Sequence, residues 1–390
     1  MFYFVANIVA IYANNLLLIR LKEKGKSRLV IMLTGLLPLI MVVEGLRYHS
    51  YLSSISKAEV NVFDLNQTDK EFQFNISSID KEEYQAIIML PYFYVGSDNY
   101  GKQSNDGLSR LGFMFSYHLN LPMFNSYLTR TSIEESKNII QLMSSNFYPK
   151  AIEKDINNDK PFLIVCHNEI LSVNEKLLIK RSNKLSDNDD YSIYEITKKD
   201  LFYNSAADEI EAYDLVKDSL RFKDEFLVSD SLKYFQYVNF KSAEDSVLIQ
   251  GDCYENLQSV YSKLLEVNGR ELAQGQTYIA RFWMYNGGKD NGQDAFNGMA
   301  FFEKDSSGEK EWIFPITSMQ STQEINGDWN LVEVKLTNVD TNTNYQLLLK
   351  GDDRSKLSYY IDDILFYHED LTIYQEREDY LFKNGHRITK

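Results

Sequence analysis

Two long apolar runs at the start of the chain constrain its folding more than any other feature. Residues 2–19, FYFVANIVAIYANNLLLI, carry no charge, and residues 29–46, LVIMLTGLLPLIMVVEGL, carry only Glu44. The hydrocarbon core of a bilayer takes roughly 20 apolar residues as helix, with a lower limit of about 17. Both runs meet that length. Between them RLKEKGKSR, residues 20–28, holds five basic side chains and one acid. Lys and Arg beside a spanning helix are retained on the cytoplasmic side. The pattern predicts a transmembrane helical hairpin over residues 1–58, with its basic turn inside and everything after about Arg47 outside. A secretory signal peptide would need a charged n-region, and no Lys or Arg precedes Arg20. Asn7, Asn14 and Asn15 want polar partners in hydrocarbon, so other transmembrane helices are expected beside the hairpin.

The charge balance excludes one class of partner. The formal net charge is −15, and beyond residue 59 there remain 34 Lys plus Arg against 53 Asp plus Glu. Nucleic-acid affinity rests on cations meeting phosphates, so no nucleic acid is expected. Anionic lipid is disfavoured as a docking surface for the same reason. Cys166 and Cys253 fall in separate predicted domains, which argues against a disulfide between them.

Residues 59–200 alternate strand and helix signals. YQAIIMLPYF (84–93), KPFLIVCHN (160–168) and YSIYEI (191–196) read as strands, while TSIEESKNIIQLMSS (131–145) and LSVNEKLLIKRSNKL (171–185) read as helices. The first helix has Thr131 or Ser132 as N-cap and acids in its opening turn. Strands alternating with helices at this spacing predict a small α/β, doubly wound-like domain. Residues 201–245 form an acidic connecting segment without a clear pattern. From 246 to 372 the chain becomes short strands separated by turns, among them YIARFWMYN, NLVEVKLTNV and SYYIDDILFY, and residues 373–390 read as a tail. Val332, Val334 and Leu336 alternate with Glu333, Lys335 and Thr337, as on a half-exposed antiparallel strand. The fold class expected is therefore multidomain α+β: hairpin, α/β domain, then an antiparallel β-sandwich.

YYIDDILFY (359–367) and GDWNLVEVKL (327–336) resemble the closing strand and the turn-Trp-strand of jelly-roll carbohydrate-binding modules. LPYFYVGSDNYG (90–101) and FMFSYHLNLPMFNSYLTRTS (113–132) resemble the extracytoplasmic region that follows the last spanning helices of bacterial multispanning glycosyltransferases using lipid-linked donors. Those enzymes carry their catalytic acid in an early membrane-proximal loop, and nothing in this chain corresponds to it. The resemblance implies an integral protein of the bacterial cytoplasmic membrane with extracytoplasmic soluble domains and a glycan or lipid-linked sugar as partner.

Within YIARFWMY, period-two alternation sets Ile279, Arg281, Trp283 and Tyr285 on one face, and Arg281 marks that face as the solvated one. Trp283 and Tyr285 are then candidates to stack on a sugar, with Asp290, Gln293, Asp294 and Asn297 to bond its hydroxyls and Trp312 to extend the platform. The alternative for these aromatics is packing under a loop or a neighbouring domain. The sandwich resemblance also implies a structural Ca²⁺ near the terminal strand, with Asp363 as its ligand. Asp362 and Asp363 are neighbours on one strand and should face opposite ways, so only one of them is expected to ligate easily. Cys166 and His167 are likewise adjacent on a buried strand, which separates them as a nucleophilic pair, and His118 reads as packed among aromatics.

These features favour a glycan-binding accessory region without a catalytic centre of its own. A membrane-tethered glycoside hydrolase or transferase using carboxylates such as Asp290 and Asp294 is the first alternative. A purely structural interaction module is the second.

Overall fold

A computed structural model of the chain describes residues 12, 15–16, 19–25, 27–58, 61–96, 100–102, 106–127, 131–238, 254–256, 261–285, 299–306, 309–317, 322–350 and 359–390. The chain divides into two compact units, Met1–Phe74 and Asn75–Lys390. In the first unit α1 (Ser27–Ala58) runs unbroken for 32 residues. Met32, Leu36, Val42, Val43 and Leu46 are exposed on it. Among the described residues no helix is long and apolar enough to cross a membrane. The expected pair of spans is therefore not shown; residues 2–11, 13–14 and 17–18 of the first run lie outside the described residues, as do many side chains of the second.

The second unit opens with β1 (Ile87–Leu90), β2 (Tyr94–Val95), β3 (Gly101–Lys102), β4 (Ser126–Tyr127), β5 (Phe162–His167), β6 (Asn183–Asp187) and β7 (Tyr191–Ile196). Between these strands lie α2 (Asp106–Leu119), α3 (Ile133–Gln141) and α4 (Val173–Lys180). Ser132 caps α3 by accepting from the Glu135 N–H, and Ser172 with Glu175 forms a capping box on α4. The main sheet has the order β1-β5-β7-β6. Only β1 and β5 run parallel, because β6 and β7 are joined by a tight hairpin while a parallel pair needs a crossover of a dozen or more residues. The layer is thus mixed, which corrects the doubly wound expectation.

The acidic segment after residue 200 forms regular elements as far as residue 238, and residues 239–245 lie outside the described residues. It contains α5 (Ala206–Val216), β8 (Arg221–Lys223), β9 (Phe226–Val228) and β10 (Phe235–Val238). The sandwich follows as β11 (Tyr254–Asn256), β12 (Tyr261–Asn268), β13 (Tyr278–Tyr285), β14 (Met299–Ser306) and β15 (Glu309–Thr317), continuing with β16 (Thr322–Asn326), β17 (Trp329–Leu336), β18 (Asn344–Lys350) and β19 (Tyr359–His368). One of its sheets has the order β10-β19-β13-β17-β16, with β11 also on β19, and the other is β12-β18-β14-β15. Tyr278, Ala280, Phe282 and Met284 point between the sheets and meet Leu347 and Phe302 in one apolar cluster.

The expected tail is β20 (Ile373–Glu376), β21 (Tyr380–Lys383) and β22 (His386–Thr389). It pairs with the supposed connector in a third sheet of order β22-β21-β20-β9-β8. The β21–β22 turn is Asn384-Gly385, both at positive φ (46° and 92°), the dipeptide that favours a two-residue hairpin. A single core cluster also joins Ile88, Tyr94 and Ile164 of the α/β layer to Phe282 and Ile325 of the sandwich. The two are one compact unit rather than separate domains.

Candidate functional site

The alternation expected for β13 is present, but the face bearing Ile279, Arg281 and Trp283 is roofed by the third sheet. Trp283 is 1% exposed. Its Nε1–H donates to the Gly385 carbonyl at 2.9 Å, and the Arg387 guanidinium lies 5.6 Å from its ring centroid. Trp329 and Leu331 pack beside it, with Tyr148 against the cluster. Tyr285 is half-buried at the edge of this cluster, its ring edge-on to Trp329 at 5.5 Å. Trp283 therefore cannot serve as a sugar platform: its ring faces are occupied by the chain itself. Trp312 lies on β15, in the opposite sheet and paired with Glu303, and its side chain lies outside the described residues. Asp290, Gln293, Asp294 and Asn297 lie outside the described residues.

Asp362 and Asp363 do not diverge as the strand period requires. The β13–β19 ladder shifts register between Arg281 and Trp283, and Asp363 sits at φ 50°, so a bulge turns both carboxylates the same way. Arg387 Nη2 reaches Asp362 Oδ2 at 2.5 Å and Asp363 Oδ2 at 2.6 Å, and its Nε donates to Asp363 Oδ2 at 2.8 Å. Tyr237 donates its hydroxyl to Asp363 Oδ1, and Arg377 stands 3.7 Å from the same oxygen. Burial, and then the charge of Asp363, pushes the Asp362 carboxyl up despite Arg387. Asp363 thus partners arginine at the position where the resemblance had implied calcium. Among the described residues no group of three or more His, Cys, Asp or Glu side chains could hold a metal ion.

Among the described residues a cleft of about 410 Å³ opens in the α/β layer. Phe113 and Ser116 of α2 form one wall, and Glu135 and Ile139 of α3 form the other. The Met123–Asn125 segment, Ser126 and Tyr127 of β4, and Thr131 complete the lining over Tyr94. Local chemistry fixes this frame. Asn125 Oδ1 accepts from the Met89 N–H at 2.6 Å while its Nδ2 donates to the Met89 and Phe93 carbonyls, tying the segment before β4 to β1. The Tyr94 hydroxyl lies 3.0 Å from Thr131 Oγ1 and 3.4 Å from Ser136 Oγ. Phe113 is 43% and Tyr127 50% exposed. Two accessible rings are thus set among hydroxyl, amide and carboxylate groups, the combination that receives a ligand with both apolar faces and hydroxyls. FMFSYHLNLPMFNSYLTRTS was singled out in sequence for its resemblance, but its aromatic spacing did not reveal that Phe113 and Tyr127 share a cleft, since a helix and a strand from different points in the fold bring them together.

Cys166 is free and buried, and burial followed by the Glu175 charge pushes its thiol up to about 11. It is an inert core residue, and the neighbouring His167 faces Glu169 at 3.4 Å instead.

No protein-family model matches the sequence, and no curated protein matches it. Among solved structures, the xylan-degrading Xyn10B of Clostridium thermocellum, its CBM22-1 and GH10 modules complexed with xylohexaose, is 16% identical with a TM-score of 0.21. That match covers 38% of this chain and 27% of the xylanase. TmCBM61 in complex with β-1,4-galactotriose is 15% identical with a TM-score of 0.21, over 39% of this chain and 92% of the module. The insecticidal crystal protein Cry2Aa is 16% identical with a TM-score of 0.19, over 31% of this chain and 18% of its own. These likenesses are too slight to transfer a ligand or a residue role.

Proposed function

We propose that this chain is a glycan-binding accessory protein whose ligand site is the cleft between α2 and α3. The observation that carries the reading is the cleft itself: the exposed rings of Phe113 and Tyr127 stand beside Ser116, Ser126, Thr131 and Glu135 in a space of about 410 Å³. Sugar rings present C–H faces that stack on aromatics and hydroxyls that bond to such groups. The β-sandwich serves as the scaffold behind the cleft, since its aromatic face is already filled. Tethering at a membrane belongs to the same proposal and is supported by the uncharged run and basic loop of the sequence. The context of lipid-linked or nascent polysaccharide is likewise part of the proposal, from the sequence resemblance.

The test is titration of the full chain with neutral oligosaccharides of three to six sugars. Phe113→Ala and Tyr127→Ala should each weaken binding by about 1–2 kcal/mol, as aromatic anchors at the centre of a site do. Unchanged affinity in both folded variants, or no binding by the parent chain, would sink this reading. Release of shortened sugars during the titration would favour the hydrolase alternative.

A further inference from the structure

The two faces of α4 (Val173–Lys180) are of opposite kind. Its inward face is fully engaged: Leu178 is buried in the common core with Ile179 packed against it, and Asn174 Nδ2 donates to the Met143 carbonyl at 3.2 Å. The Glu175 carboxylate accepts from the Tyr92 N–H at 2.6 Å and from the Ser172 N–H at 2.7 Å. The outward face holds aliphatic side chains in water. Val173 is 74% and Leu177 50% exposed, and Ile170, just ahead of the helix, is 94% exposed. Lys176 and Lys180 are exposed beside them. At 3.6 residues per turn, positions 173, 176, 177 and 180 fall within about 140° of arc. Two aliphatic side chains and two ammonium groups therefore share one strip.

The charge of this strip runs against that of the chain. The formal net charge is −15, yet residues 170–185 hold Lys176, Lys180, Arg181 and Lys184 against Glu175 alone, which is turned inward. Arg181 lies over the Tyr203 ring with Asp200 and Asp208 near it, and Lys184 pairs with Asp187 at 2.6 Å. Among the described residues neither Lys176 nor Lys180 makes an ion pair, so these two carry the uncompensated charge. Acids gather at the Ile170 end, where Asn168 bonds the Asp189 and Asp190 carbonyls and Glu169 lies 3.4 Å from His167.

A second copy of the chain related by a two-fold axis would press this strip on its own counterpart, setting lysines against lysines. A bilayer surface needs no complementary shape. Aliphatic side chains enter the headgroup boundary, while lysine stems lie along it and their ammonium groups stay among the phosphates. We propose that Ile170, Val173, Lys176, Leu177 and Lys180 form a docking face for anionic lipid, which holds the Asn75–Lys390 unit against a bilayer. The expectation drawn from net charge is reversed over this one face, because exposed charges act within about a Debye length, ~10 Å, rather than across the whole molecule.

The experiment is amide hydrogen exchange on Val173–Lys180 of the full chain, incorporated into vesicles of phosphatidylcholine alone or of an equimolar mixture with phosphatidylglycerol. Any tether elsewhere in the chain acts in both, so the difference between the two lipids reports this face. Each Lys near an anionic surface strengthens attachment about fivefold. Protection of the helix should be at least several-fold greater in the mixed vesicles, and the difference should vanish at high salt and in the double variant Lys176→Glu, Lys180→Glu. The double variant Ile170→Ser, Val173→Ser should lessen it as well. Equal protection in the two lipids, or a difference that survives the charge reversal, would overturn the proposal. So would protection that follows chain concentration whatever the lipid, the mark of a second copy on this face. Exchange on Tyr278–Tyr285, matching the parent chain, shows that each variant is folded. None of these residues lines the cleft, so binding of neutral oligosaccharides should be unchanged and the two readings fail separately.

Discussion

Arg387 shows how one side chain can decide what a surface becomes. Its guanidinium serves Asp362 and Asp363 together and lies over both Trp283 and Tyr380, at 5.6 and 5.8 Å from their ring centroids. Removing one partner of a buried pair leaves charge uncompensated and costs about 3–5 kcal/mol. Arg387→Ala is expected to lose that much in chemical denaturation. Arg387→Lys should recover little, because an ammonium is a point charge and cannot match two carboxylates as a planar fork does. At this scale the sequence was legible in part. Period-two alternation placed Arg281 and Trp283 together correctly. It assigned them to solvent because an arginine on a strand normally marks water, and here the same arginine is 15% exposed in its side chain and paired with Glu333 at 2.7 Å. The positive φ of Asp363 had no signature at all, since Asp-Asp within an apolar strand reads as ordinary alternation.

Elements were readable where their signals were local. Ser132 is one of the two caps expected for its helix, and the buried strands at 87–90 and 162–167 follow from nearly unbroken apolar runs, whereas the helix expected over 171–185 ends at Lys180 and gives way to a strand from Asn183. What escaped was pairing across distance. The 221–228 strands are three residues each and carry no periodicity of their own. They are strands only because β20–β22 lies beside them. The Asn384-Gly385 dipeptide was the available clue that the supposed tail is a hairpin. Loop geometry offers a separate check at Gly269, where a Cβ would stand 2.0 Å from the Thr343 carbonyl oxygen and 2.8 Å from that of Asp340. Both neighbours are backbone and cannot swing aside. Gly269→Ala should therefore cost about 1–3 kcal/mol or more, as overpacking does, visible as a lowered thermal midpoint without a change in cleft residues.

For the molecule as a whole, the α/β layer and the sandwich share one core, and the third sheet closes over it. A chain ending at Leu371 would lack β20–β22 and uncover Ile279, Trp283, Leu365 and Tyr367, all under 9% exposed in the intact unit. Such a truncation is expected to bind an apolar dye strongly and to lose cooperative unfolding. A sharp, dye-free transition would show that the sheet is dispensable. Short strands separated by turns had placed the sandwich in the second half of the chain, but the continuity of the core could not be seen because it arises from contacts between segments far apart in sequence. That separation also sets a timetable. The strands at 221–228 are made long before their partners at 373–389. At 5–20 residues per second a ribosome needs roughly 7–30 s to bridge the gap. Once Trp283 has been made, and until β20–β22 follows, a nascent chain presents a bare indole and an unpaired strand edge, surfaces of the kind that aggregate during synthesis.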